Sequence, residues 1–127
     1  MNGIQLPVQI LPQRIVMPNL DIFYPVIISG TDDSAMQRMN QQIYNTVNKL
    51  IEEQGYYQNP QTTQVTGYFE IKTNERDVLS LSLINYTYLH HAAHGLTIIQ
   101  SLTFDISTGK NYLLHELFKP RSDYIKV

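Results

Sequence analysis

The 127-residue chain contains no cysteine and no tryptophan. Without cysteine there is no disulfide, no thiolate metal ligand and no thiol nucleophile, although the compartment is left open. Charge imbalance is missing too. Nine basic and eleven acidic residues, net −2, are scattered along the chain, so there is no basic footprint for nucleic acid or anionic lipid. No hydrophobic run is long enough to span a bilayer, so membrane insertion by this segment is not expected. The opening "MNGIQLPVQILPQRIVMPN" has no cationic start, and Pro7 and Pro12 cut its apolar run. It does not read as a signal peptide, so export would require a targeting segment outside this chain. Repeats and linker compositions are also lacking. With 43% hydrophobic residues, the expectation is a single domain over residues 1–127 with one core.

What is present reads as α+β: an antiparallel sheet with one long helix packed on a face. Leu6 to Ser29 is β-like, and Pro7, Pro12, Pro18 and Pro25 predict irregular edge strands, because each proline lacks a ladder N–H. Residues 33 to 53 carry Met36, Met39, Ile43, Val47 and Leu50 or Ile51 at helical spacing. Thr31, Asp32 or Asp33 suits the helix start and Gly55 its end. The opposite face, with Gln37, Gln41, Asn45, Asn48 and Glu52, is polar with little charge. Strands are expected over 66 to 73, 78 to 90 and 95 to 106, with a turn at "NERD". Within 78 to 90 the bulky positions change phase after Leu83, which signals a bulge or burial on both faces. Leu96, Ile98, Leu102, Phe104 and Ile106 alternate on one face. "RSDYIKV" begins like a capped helix but stops at once, predicting a domain incomplete at its C-terminus. Apolar surface is then left uncovered, to be covered by further chain or by a second copy in a homodimer.

His90, His91 and His94 sit together in "NYTYLHHAAHGL". The zinc-protease pattern needs two histidines four apart on a helix with a glutamate between them, whereas both flanks here read as strand. A metal site is therefore not expected, and no cofactor is implied. A turn whose imidazoles bond to backbone or solvent is the plainer reading, with His94 structural. Hydrolysis would need a nucleophile with its base, or two opposed carboxylates. Asp21, Asp32, Asp33, Glu70, Asp105 and Glu116 are instead dispersed. "STGK" lacks the upstream glycine of a phosphate loop. Tyr56, Tyr57, Tyr86 and Tyr88 are candidates for rigid amphipathic contact with a glycan or protein, although tyrosine is also an ordinary strand residue. As a binding surface the sequence nominates Tyr86, Tyr88, His90, His91 and His94.

"YTYLHHAAHGL" followed by "LTFDISTGKNYLLHELFKPRSDYIKV" resembles a bacterial extracytoplasmic domain family. That family forms the outer portion of anti-sigma-V factors and precedes the catalytic domain of some peptidoglycan deacetylases. Ala93, His94, Phe104, Asp105, Thr108, Gly109, Lys110, Leu114, Leu117 and Phe118 match its pattern, and "YPVIISG" with Asn40 and Ile43 resembles its first half. Two departures stand out: His91 and Ala92 replace a glycine pair, and the family's later helix and strands are missing. The resemblance implies an extracytoplasmic α+β domain of a bacterium of Gram-positive type. It implies a cell-envelope binding or sensing module that recognises wall glycan or an envelope protein and is not an enzyme, with Asp105, Thr108, Gly109 and Lys110 as a structural motif. The alternative is an accessory domain of a cell-wall hydrolase or deacetylase, or a small enzyme of that kind, using His90 to His94.

Overall fold

The computed structural model of the protein describes residues 8–75, 77–89 and 95–112. Five strands, β1 (Gln9–Met17), β2 (Leu20–Ser29), β3 (Thr63–Glu75), β4 (Val78–Leu89) and β5 (Leu96–Asp105), form one sheet in chain order. Among the described residues one helix occurs, α1 (Asp33–Glu53), and it connects β2 to β3. All neighbours run antiparallel except β2 and β3. That parallel pair needs a crossover, and α1 supplies it.

Local chemistry fixes the helix ends. The Asp32 side chain accepts from the Ala35 N–H at 2.8 Å, satisfying one orphan donor of the first turn. Past the end, Gly55 sits at φ +82°, where a side chain would be strained. Met39, Ile43, Val47, Leu50 and Ile51 form the buried stripe. They meet Ile22, Val65, Leu79, Leu81, Leu83, Leu102 and Phe104 in one core. Each such side chain taken from water contributes about 1.5–3 kcal/mol.

The N-terminal hairpin departs from the sequence expectation. β1 is an edge strand, but β2 lies inside the sheet, and Pro25 falls within it. Two features make this possible. Pro12 and Pro25 lie directly opposite one another, so the two missing donors share one position in the ladder. On its other side β2 pairs with β3 only at Leu20, Asp21 and Ile22, and Pro25 lies beyond the last of these.

Side-chain amides serve the backbone where the ladder stops. Asn40 of α1 donates to the Ile27 carbonyl at 2.9 Å and accepts from the Ile27 N–H at 2.8 Å. Asn74 of β3 does the same for Val8, at 2.9 and 3.0 Å. The phase change in β4 reflects burial on both faces: Leu81 through Asn85 are all buried, with unbroken register to β5. Register shifts occur elsewhere, in β3 between Ile71 and Thr73 and in β1 between Gln9 and Ile10.

Asn40→Ala leaves both backbone groups of Ile27 without these partners. Urea unfolding is expected to show a loss of about 2–3 kcal/mol. Asn48→Ala, whose amide reaches only the Tyr44 carbonyl on the exposed helix surface, should stay within about 0.5 kcal/mol of wild type.

Candidate functional site

One face of the sheet is covered by α1, and the other carries an aromatic and aliphatic row. Directly opposed residues share a face, so register assembles this row from the sequence. Tyr68 opposes Ile84, and Ile84 opposes Ile99. Phe23 and Tyr68 follow the last parallel pair, Ile22 and Gly67. At the edge, Arg14 opposes Phe23 and holds its guanidinium carbon 5.2 Å from the ring centroid. Tyr86, flanked by Thr66 and Thr97, occupies the neighbouring row. Tyr68 is 54% exposed and Ile99 62%, while Ile84 between them is 7% exposed.

This face is nearly neutral by internal pairing. Arg14 meets Asp21 at 2.7 Å, and Lys72 meets Glu70 at 2.8 Å. The Arg14 hydrogen bonds hold the Asp21 carboxyl below its usual range and raise the already high Arg14 value. Hydroxyls line the adjoining positions of β4 and β5, with Ser80 and Thr103 at 3.3 Å and Ser82 and Ser101 at 3.3 Å.

Of the nominated binding residues, Tyr86 and Tyr88 share this open face by strand alternation. Tyr86 lies over Gly95, where an added Cβ would collide with its ring and hydroxyl. His90, His91 and His94 lie outside the described residues, as does the "RSDYIKV" end. Tyr56 is reassigned: it is 4% exposed and donates its hydroxyl to the Pro18 carbonyl at 2.5 Å, so it is a core residue. Tyr57 remains exposed, edge-on to it at 5.6 Å.

A second feature lies where the α1 C-terminus meets the ends of β4 and β5. Glu53, Gln54, Thr87, Leu89, Leu96 and Ile98 are among the residues around a mostly apolar cavity of about 270 Å³. Gln54 donates to the Thr87 hydroxyl and accepts from Asn85 at 3.2 Å. These amides tie the helix end to the sheet. Among the described residues, no cluster of three metal-ligating side chains occurs.

Asp105, Thr108, Gly109 and Lys110 form a turn that locks the end of β5 against the start of α1. Asp105 accepts from the Ser107 N–H at 2.9 Å and hydroxyl at 2.7 Å. Its backbone exchanges bonds with Gly109 and Lys110. The Thr108 hydroxyl accepts from the Lys110 N–H at 3.1 Å. Gly109 has φ +77°, and a Cβ there would lie 2.6 Å from the Ala35 carbonyl. Only glycine suits that approach.

The Ser107 hydroxyl, ahead of the smaller contributions, holds the Asp105 carboxyl below its usual value. A depressed acid contributes stability that is complete above its unfolded value and is lost as pH falls through the folded one. Asp105→Asn is therefore expected to be less stable than wild type at neutral pH. The gap, followed by thermal unfolding, should close as pH falls below about 4.

No protein-family model and no curated protein matches the sequence. The fold, however, is shared with solved structures. One is a member of the DUF3298 family from Bacteroides fragilis, with a TM-score of 0.61 and 10% identity over 90% of this chain. Another is a DUF3298 family protein from Pseudomonas aeruginosa, with a TM-score of 0.59 and 12% identity over 90% of this chain. The present chain spans 62% and 59% of those two chains. At such identities the likeness is one of fold: the sheet and helix of the described residues have the architecture found in these DUF3298 family proteins.

Proposed function

We propose that this chain is a non-catalytic recognition module of the bacterial cell envelope, and that it binds the wall glycan through the open sheet face. The observation that carries this reading is the row of Phe23, Tyr68 and Ile99 with Tyr86 beside it, exposed on adjacent strands. Aromatic faces offer large contact area at small entropic cost, and their flanking hydroxyls suit a polyhydroxylated ligand. The paired charges favour a neutral ligand over a polyanion. The motif resemblance around Asp105 to Lys110 supports an extracytoplasmic setting. In this reading Asp105, Thr108, Gly109 and Lys110 hold the sheet end in place and do not touch the ligand.

Co-sedimentation with purified peptidoglycan tests the reading. The wild-type chain is expected in the pellet, with the bound fraction nearly constant from about 50 to about 500 mM salt, since screening weakens exposed charge attraction most. Tyr68→Ala combined with Tyr86→Ala should lower affinity at least about tenfold while leaving the unfolding midpoint near that of wild type. A wild-type chain that stays in the supernatant at every salt concentration refutes the function. Retention abolished by salt would instead assign the binding to charge.

A further inference from the structure

On the helix side of the molecule a second pair of tyrosines borders an open groove. Tyr24 of β2 and Tyr44 of α1 have ring centroids 6.0 Å apart and planes tilted by 55°. With Val26, Gln37, Asn40 and Gln41 they line a cavity of about 430 Å³. Gln37 and Gln41 also line an adjoining depression with Arg38 and Asn45, so the two form one continuous surface along the helix.

The residues of this helix face are unusual in kind. Exposed positions are commonly filled by Lys, Glu and Arg, which favour helix and pair across one turn. Between Ser34 and Asn48 the single charged residue is Arg38; beside the exposed Ser34 and Tyr44, amides take the outward places at Gln37, Gln41 and Asn45, with Asn48 half-buried. Asparagine is a poor helix former. Asn40 has a structural reason, its bonds to Ile27. Gln37 has no such duty, and Gln41 reaches only Asn45 on the same surface.

A primary amide offers two donors and an acceptor without charge. Hydroxyl and acetamido groups of a sugar ask for both, and the C–H face of the ring asks for an aromatic platform. Tyr44, 45% exposed, provides that platform. Tyr24 stands behind it, its phenol pushed above its ordinary value by burial and, to a smaller extent, by Tyr44. The cavity is within the range that holds small ligands, about 300–1,000 Å³.

We propose that the groove between α1 and β2 binds a short, neutral, N-acetylated oligosaccharide, with Tyr44 stacking on a sugar ring and Gln37 and Gln41 bonding its acetamido and hydroxyl groups. This rests on the wall-glycan reading and adds to it a site on the face opposite the open sheet. Asn40 forms the groove wall and stays bound to Ile27.

The test is a titration of the isotope-labelled chain with the trimer of N-acetylglucosamine, followed by NMR. The side-chain amide signals of Gln37 and Gln41 are expected to shift saturably. Tyr44→Ala should weaken binding at least about tenfold, Gln37→Ala combined with Gln41→Ala should do likewise, and Tyr44→Phe should retain most of the affinity. Unfolding curves verify that each variant is folded, and the glutamine pair keeps the test decisive if Tyr44→Ala is not. Equal binding of the deacetylated trimer overturns the assignment, as do shifts confined to the Tyr68 and Tyr86 face. Failure of the trimer to bind while peptidoglycan still sediments the chain removes the groove and leaves the wall-glycan reading standing. Failure of both removes the two together.

Discussion

The parting of β2 from β3 after only three paired residues is the constraint on which the rest of the structure turns. Beyond Ile22 the β2 backbone would present unpaired groups toward the protein, each costing about 1–3 kcal/mol if left so. Asn40 answers this from the helix, because its amide presents a donor and an acceptor side by side, as a peptide does. It acts as one residue of a missing strand. Asn74 treats Val8 in the same way, next to Gly30, whose Cβ would meet the Val8 Cα at 2.7 Å. The parting has a second effect. Tyr24 and Val26 of β2 end up bordering a groove with α1, so the device that stabilises the parted strand also forms the wall of a candidate binding surface.

Periodicity made the helix and the three later strands legible in the sequence. Residues 33 to 53 match α1, and 66 to 73, 78 to 90 and 95 to 106 lie close to β3, β4 and β5. The place of β2 was not legible, for a specific reason. A proline removes one donor, and reading residue by residue puts that loss at an edge. Two prolines facing each other across a ladder spend one position on two losses, and this follows from register, a non-local property. The parallel β2–β3 pair was hidden likewise, since alternation describes a strand and not its neighbour. Asn40 left a faint signal: it lies four residues after Met36 and three before Ile43, an amide on an apolar stripe.

The tyrosines show the same limit at the site. Tyr56 and Tyr86 look equivalent in sequence, both beside a second tyrosine or one residue from it. The first is buried because its hydroxyl reaches the Pro18 carbonyl, a partner 38 positions away. The second is exposed because β4 alternates and its face is open. Tyr24, Tyr44 and Tyr68 carry no signal of their own in the sequence, since each is ordinary within its own element. Only the meeting of β2 with α1, and of β3 with β4, gives them a common surface.

Both candidate surfaces stand on parts of the fold that are held from several sides. Polar bonds pin α1 at three levels: Thr31 donates to the Ile106 carbonyl near the start, Asn40 bonds Ile27 in the middle, and Gln54 engages Thr87 and Asn85 at the end. The apolar stripe alone would fix the depth of the helix more firmly than its position along the sheet, because dispersion and hydrophobic burial are weakly directional. Hydrogen bonds are directional, and these, at three separate levels, set that position. Tyr68 and Tyr86 likewise belong to β3 and β4, each paired along its length to a neighbour. Side chains carried on such elements lose little freedom when a ligand arrives, so more of the contact energy remains as affinity. A neutral, shallow surface without strong electrostatic attraction depends on that economy more than a charged one does. The polar pins of the helix and the binding reading are therefore consistent with one another on physical grounds.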